Sequence, residues 1–173
     1  PQTGTPISSI GRLEVGKKAP VIELVGSLGG LVAKNAQSGE RWSSETLQGK
    51  VHILFYVSPG SKNLNDKASK ALKEKAYPRD RFCSVAVINL AASWLPNVLI
   101  EKKIADSQKE FPHTVYVKDR EKSFVKLWGL KDDSSDIVIF DTHGVVQFRY
   151  DGQLPDNEIQ KMLQVVDKLL GQV

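Results

Sequence analysis

A chain of 173 residues suits one domain and is long enough to bury roughly two-thirds of its unfolded surface, so it needs no cofactor, metal or disulfide to fold. Hydrophobic residues at 40% and charged residues at 25% are globular proportions, and no apolar run approaches the roughly 18 residues that argue for a membrane-spanning helix. A net charge of +4 carried by scattered lysines, such as Lys67, Lys70, Lys73 and Lys75 on one helix, describes a solvated face and argues against a nucleic-acid partner, while a single cysteine, Cys83, excludes any intrachain disulfide.

Pro1 to Gly11 is a polar Gln/Thr/Gly/Pro/Ser stretch, and residues 1–14 are expected to form a poorly ordered leader ahead of one domain over 15–173. Val21 to Val25 reads as a strand, Gly29-Gly30 as a turn and Leu31 to Lys34 as the returning strand of a hairpin. Ser43 to Leu47 is a short helical turn with Ser43 as its cap. Val51 to Val57 is apolar throughout, the pattern of a strand covered on both faces. After a turn at Ser58 to Lys62, the residues Leu64, Ala68, Ala71, Leu72 and Ala76 recur at helical spacing and predict a helix ending near Pro78. Phe82 to Leu90 is the next strand. Pro96 starts a helix with Ile100, Ile104 and Phe111 on one face. Thr114 to Val117 is a strand, and Phe124 to Trp128 one or two helical turns. Ile137 to Phe140 and Val145 to Tyr150 flank Asp141-Thr142-His143-Gly144, a hairpin signal with glycine where positive φ is expected. Pro155 opens a last helix burying Ile159, Leu163, Val166 and Leu170, with Asp156 and Glu158 at the positive end of its dipole.

Helical crossovers predict parallel strands, and the tight turn at Thr142-His143 predicts an antiparallel pair. The expected fold class is α/β: a mixed central sheet, helices on both faces, and a C-terminal β-hairpin plus helix. The order resembles the thioredoxin-like fold with an extra helix-containing insertion.

Val15-Gly16-Lys17-Lys18-Ala19-Pro20 resembles the entry to peroxiredoxin and thiol-reductase-like domains, Leu47-Gln48-Gly49-Lys50-Val51 their first core strand, and Phe140-Asp141-Thr142-His143-Gly144 their closing hairpin. Taken together, Arg41-Trp42-Ser43-Ser44, Pro78-Arg79-Asp80-Arg81-Phe82, Trp128 to Ser135 and Tyr150-Asp151-Gly152 resemble the YtfJ family of bacterial periplasmic proteins over nearly the whole chain from Gly16. The resemblance implies a thioredoxin-like fold, export with removal of a signal peptide, and a function not yet characterised.

It also places the redox cysteine pair of thioredoxins, to within one residue of register, on Gly60 and Asn63, and replaces their cis-proline with Ser134-Ser135-Asp136. Both parts of a thiol-disulfide site are absent. Ser58 and Ser61 are read as turn and cap residues, because a serine nucleophile needs a base and none of His52, His113 or His143 is expected beside them. Three scattered histidines and one cysteine lack metal-ligand spacing, and Asp132, Asp133 and Asp136 read as a solvated loop in preference to a calcium site. Cys83 reads as a buried structural thiol. Trp128 is expected in the core, and Trp94 as an exposed loop residue fit to anchor a partner.

Two functions remain. The first is a non-redox binding or adaptor module taking a protein or small-molecule partner on Ser58, Pro59, Gly60, Ser61, Lys62 and Asn63 together with a facing loop of Ser134, Ser135 and Asp136. There the backbone N–H groups of a helix N-terminus would meet an anionic or carbonyl group. The alternative is an oxidoreductase or peroxidase-like enzyme acting through Cys83 or a bound cofactor.

Overall fold

The structure is a computed structural model that describes residues 12–32 and 38–171. Residues 1–11 of the leader expected over 1–14, and the end of the first returning strand at 33–34, lie outside the described residues. Leu13 is already buried and donates its backbone N–H to Trp128 O at 3.1 Å, two residues ahead of the domain start read from the sequence.

The elements run β1 (Glu23–Leu24), β2 (Gly29–Val32), β3 (Ser38–Glu40), β4 (Trp42–Ser43), β5 (Val51–Val57), α1 (Asp66–Lys75), β6 (Phe82–Asn89), α2 (Asn97–Glu110), β7 (Val115–Asp119), α3 (Ser123–Trp128), β8 (Ser135–Phe140), β9 (Val146–Asp151) and α4 (Asp156–Leu169). Seven strands form one sheet in the order β3-β2-β7-β6-β5-β8-β9, and β1 pairs separately with β4. Strands β5, β6 and β7 are parallel, whereas β8 runs antiparallel to β5 and β9 to β8. This is the expected α/β mixed sheet, a thioredoxin-like fold.

Three elements of the fold differ from what the sequence predicts. Gly29 and Gly30 are not a turn but part of β2, which pairs antiparallel with β7 instead of returning on β1; the turn lies at Gly26–Leu28. The glycines are needed for backbone approach: at Gly29, with φ +127°, a Cβ would sit 1.9 Å from Lys118 O. Second, β8 is antiparallel to β7 despite the intervening α3. The chain leaves β7 and enters β8 at the same edge of the sheet, which is what an antiparallel β8 requires. Third, α1 begins at Asp66, because Pro59–Ser61 and the residues after it are spent on tight turns.

Strand alternation assigns the two faces. His52, Leu54 and Tyr56 of β5 point toward α3, whose Phe124 and Trp128 are fully buried beside Leu54, Tyr56, Val85, Val87 and Val138. Phe124 lies 5.1 Å from the Tyr56 ring centroid and 4.7 Å edge-on from Trp128, and Trp128 Nε1 donates to Pro20 O at 2.7 Å. Val51 and Ile53 point the other way, into a core closed by α1 and α4. On that same face Ile100 and Ile104 of α2 pack against Tyr116 of β7 and Val32 of β2. The alternate residues of β6 on this face, Phe82, Ser84, Ala86 and Ile88, are only half-buried although β6 is interior to the sheet.

Candidate functional site

The turn from β5 into α1 sits against the start of β8, as the sequence reading requires: Ser58 N donates to Ser134 O at 2.9 Å. The chain then tightens through Ser61 N to Ser58 O at 2.9 Å and Leu64 N to Ser61 O at 3.1 Å, with Pro59 supplying the fixed φ of the first turn. Gly60 and Asn63 are exposed, Ser61 and Lys62 half-buried, Ser58 and Pro59 buried. Ser134, Ser135 and Asp136 do not form a facing loop. All three are buried, and Ser135 and Asp136 already belong to β8. Nor is the turn a helix N-terminus, since Ser61, Lys62 and Asn63 precede the first residue of α1.

What holds the turn is Asn65, which the sequence reading passed over. Only 4% exposed, it donates through Nδ2 to Ser135 O at 3.0 Å, Ser135 Oγ at 3.0 Å and Gly152 O at 3.1 Å, and accepts Leu154 N on Oδ1 at 2.9 Å. One amide thus ties the start of α1 to the start of β8 and the exit from β9. Its position just before a helix suggests a cap, yet its side chain makes no capping bond.

Below the turn, on the α3 face, lies a buried polar layer. Tyr56 Oη donates to Asp119 Oδ2 at 2.8 Å, and Asp119 also accepts the N–H groups of Ser123 and Phe124 at the start of α3. Burial, reinforced by Asp119 and then by Asp132 and Asp136, pushes the Tyr56 hydroxyl far above its ordinary range. Asn89 donates to Asp132 Oδ1 at 2.8 Å, and Asp132 pairs with Lys122 at 2.6 Å, which lowers its pKa. These bonds occupy the Asp132 oxygens that a calcium ion would need, and among the described residues no three His, Cys, Asp or Glu side chains are grouped to hold a metal. Asp136 accepts Gly152 N on Oδ1 at 3.1 Å; burial, aided by Asp151, raises its pKa to about 7. Ser58 Oγ, Asn89 Oδ1 and Asp136 Oδ2 have no hydrogen-bond partner among the described residues. The β5–β6 and β5–β8 registers place these three residues on neighbouring strands and on one face.

Among the described residues no histidine is brought beside a serine or cysteine nucleophile of the turn. His52 is buried with Nδ1 on Lys50 O at 2.9 Å, and burial lowers its pKa. His113 and His143 are exposed in other turns. Cys83 is half-buried, not buried as expected, and burial raises its pKa against the opposing charge of Lys50. It pairs with His52 at the opposite end of β5 from the turn, about 20 Å away at the rise of a strand.

Above the turn, between α1 and α2, a cavity of about 150 Å³ opens onto the half-covered strands β5 and β6. Phe55, Val57, Ala86, Ile88 and Ile104 form its apolar floor and wall, and Lys62, Asn63, Asp66, Ser69, Lys103, Ser107 and Glu110 stand around it. Pro59 and Ser135 line its end, so the turn and the cleft are one surface. Trp94, 89% exposed as expected, and Val98 lie on the connection and first turn of α2 at the same edge of the sheet.

Residues 13–169 match the sequence family described as a bacterial protein of unknown function, YtfJ_HI0045. A relative from Escherichia coli (strain K12), the uncharacterized protein YtfJ, is 26% identical over 168 residues, covering 95% of this chain and 91% of its own. Among solved structures, a candidate thiol:disulfide interchange protein DsbE from Chlorobium tepidum superposes with a TM-score of 0.62 at 19% identity, covering 92% of this chain and 99% of its own. A thiol-disulfide isomerase from Corynebacterium glutamicum gives 0.58 at 20% identity, covering 85% and 95%. At these identities the structural likeness establishes the fold.

Proposed function

Because this chain belongs to the YtfJ_HI0045 family of bacterial proteins, we propose that it is a thioredoxin-like binding or adaptor module of the periplasm that does not exchange thiols. The observation that carries this reading is the separation of the thiol from the turn. Gly60 and Asn63 occupy the exposed turn, and the single cysteine lies about 20 Å off, half-buried in β6, with its thiolate disfavoured by burial. What occupies the neighbourhood of the turn instead is an open apolar cleft continuous with Pro59, Lys62, Asn63 and Ser135. A concave, largely apolar surface with a few polar groups is the ordinary form of a ligand site. Trp94 and Val98 at the same edge give a partner protein a large apolar contact.

The test is turnover of a disulfide substrate such as insulin with a thiol reductant, comparing the protein with Cys83→Ser. No rate above the uncatalysed background is expected for either. Turnover that Cys83→Ser abolishes would establish the enzyme alternative. Fractionation of the native bacterium, with recovery of the protein in the periplasmic extract, tests its placement.

A further inference from the structure

The cleft between α1 and α2 has a polarity that defines its ligand. Lys62 stands on the turn side and Lys103 on the α2 side, both half-buried, and among the described residues neither has an ion-pair or hydrogen-bond partner. The nearby Lys118 is different, because it is spent on Glu101. Asp66 stands at the same end as Lys62, in the first turn of α1, where it compensates that helix's own dipole. Helix α2 has no acidic residue in its first turn and no side-chain cap, so its positive end is uncompensated. Glu110, at the other end of α2, makes the far end of the cleft negative. Between these ends the apolar part of the lining is Phe55, Ala86, Ile88, Ile100, Ile104 and Phe111, beside the hydroxyl-bearing Ser84, Ser107, Thr114 and Tyr116.

We infer that the cleft binds an amphipathic monocarboxylate, with the carboxylate between Lys62 and Lys103 and the apolar chain along the exposed face of β6 toward Phe111. This deepens the binding-module reading and rests on it. Two unpaired ammonium groups beside an apolar floor fit a single anionic head with a hydrocarbon tail. A cationic head at this end would meet two ammonium groups against the one carboxylate of Asp66, and an uncharged one would leave that excess positive charge unbalanced in a half-buried site.

The probes are octanoate, octanol and octylammonium, titrated calorimetrically against the full chain below their aggregation concentrations. Octanoate is expected to bind at least fivefold more tightly than octanol and more tightly still than octylammonium, with an affinity that falls as salt rises. Amide shifts should move at Ala86, Ile88 and Ile104. Lys62→Gln with Lys103→Gln, both replacements of half-buried side chains without partners, should bring octanoate down to the affinity of octanol. Ala86→Phe, which fills the floor of the cleft, should abolish binding of all three.

Equal affinity for octanoate and octanol, or octanoate binding indifferent to the two lysine substitutions, overturns the proposal while leaving the cleft a binding site. No shifts at Ala86, Ile88 and Ile104 of the unmodified protein overturns both. Cys83-dependent disulfide turnover removes the non-redox reading alone, whatever octanoate does.

Discussion

Asn65→Ala should be among the most damaging substitutions of a polar residue in this protein. The amide is 4% exposed and makes four hydrogen bonds, to Ser135 O, Ser135 Oγ, Gly152 O and Leu154 N. Ser135 O keeps a second donor in Gly152 N at 3.1 Å, but the Gly152 carbonyl and the Leu154 N–H each lose their Asn65 partner inside the structure. A net hydrogen bond contributes about 1 kcal/mol and a buried group stripped of its partner costs about 1–3 kcal/mol, so the loss should be about 3 kcal/mol. For a domain of this size that is roughly 6–12 °C in Tm, and a fall of about 1–2 M in the urea midpoint. Urea denaturation followed by circular dichroism measures it. Asn65→Asp sharpens the test. Its carboxylate can still accept Leu154 N but faces two carbonyls with no proton to give, so at pH 7 it should be no more stable than the alanine variant. Those carbonyls raise its folded pKa, and the missing stability should return as pH falls and the carboxyl gains an O–H donor. A loss below about 1 kcal/mol for the alanine variant, or an aspartate variant as stable as the parent at pH 7, would refute the role assigned to this side chain.

Asp136 has its folded pKa raised to about 7 from an ordinary 3.8, so its contribution to stability is full below about pH 4 and is lost as pH rises to 7. Asp136→Asn should remove that slope, with a gain above pH 7 of at most about 4 kcal/mol, read as the difference between the two Tm-against-pH curves; superimposable slopes would show that Asp136 is not a buried titrating group. Gly29→Ala should cost more than about 3 kcal/mol, because the added Cβ meets the Lys118 carbonyl at 1.9 Å and φ is +127°, whereas Gly60→Ala, with open space around it, should stay within about 0.5 kcal/mol; thermal melts of the pair decide. The Cys83 thiol, pushed up by burial, should react with a thiol reagent at pH 8 about tenfold more slowly in the native protein than in urea, and more slowly again in Lys50→Gln, which removes the one charge that favours its thiolate. Equal native and denatured rates would show an open thiol.

Periodicity alone determined β5, β6, β8, β9, α2 and α4, because in each the burial of one stripe or of a whole run is written in consecutive residues: Val51 to Val57, Ile137 to Phe140, and the spacing of Ile159, Leu163 and Val166. The Asp141 to Gly144 turn was legible for the same local reason, with Gly144 at φ +78° and Asp141 Oδ1 accepting two backbone N–H groups. That the chain holds no cysteine pair needed only its composition, since Cys83 is its single cysteine. Tertiary structure decided the rest. Gly29-Gly30 looks like a turn in sequence, and only the approach of the β7 backbone shows why two glycines belong in a strand. Ser134-Ser135-Asp136 looks like a solvated loop, yet it is buried, with Ser58 and Asn65, about 70 residues away in sequence, bonding Ser134 O and Ser135. The cleft is the clearest case. Ser84, Ala86 and Ile88 read as an ordinary strand face, and nothing local to them reveals that α1 and α2 stand apart above it. That gap depends on how two helices distant in sequence pack on one sheet, and no single segment encodes it.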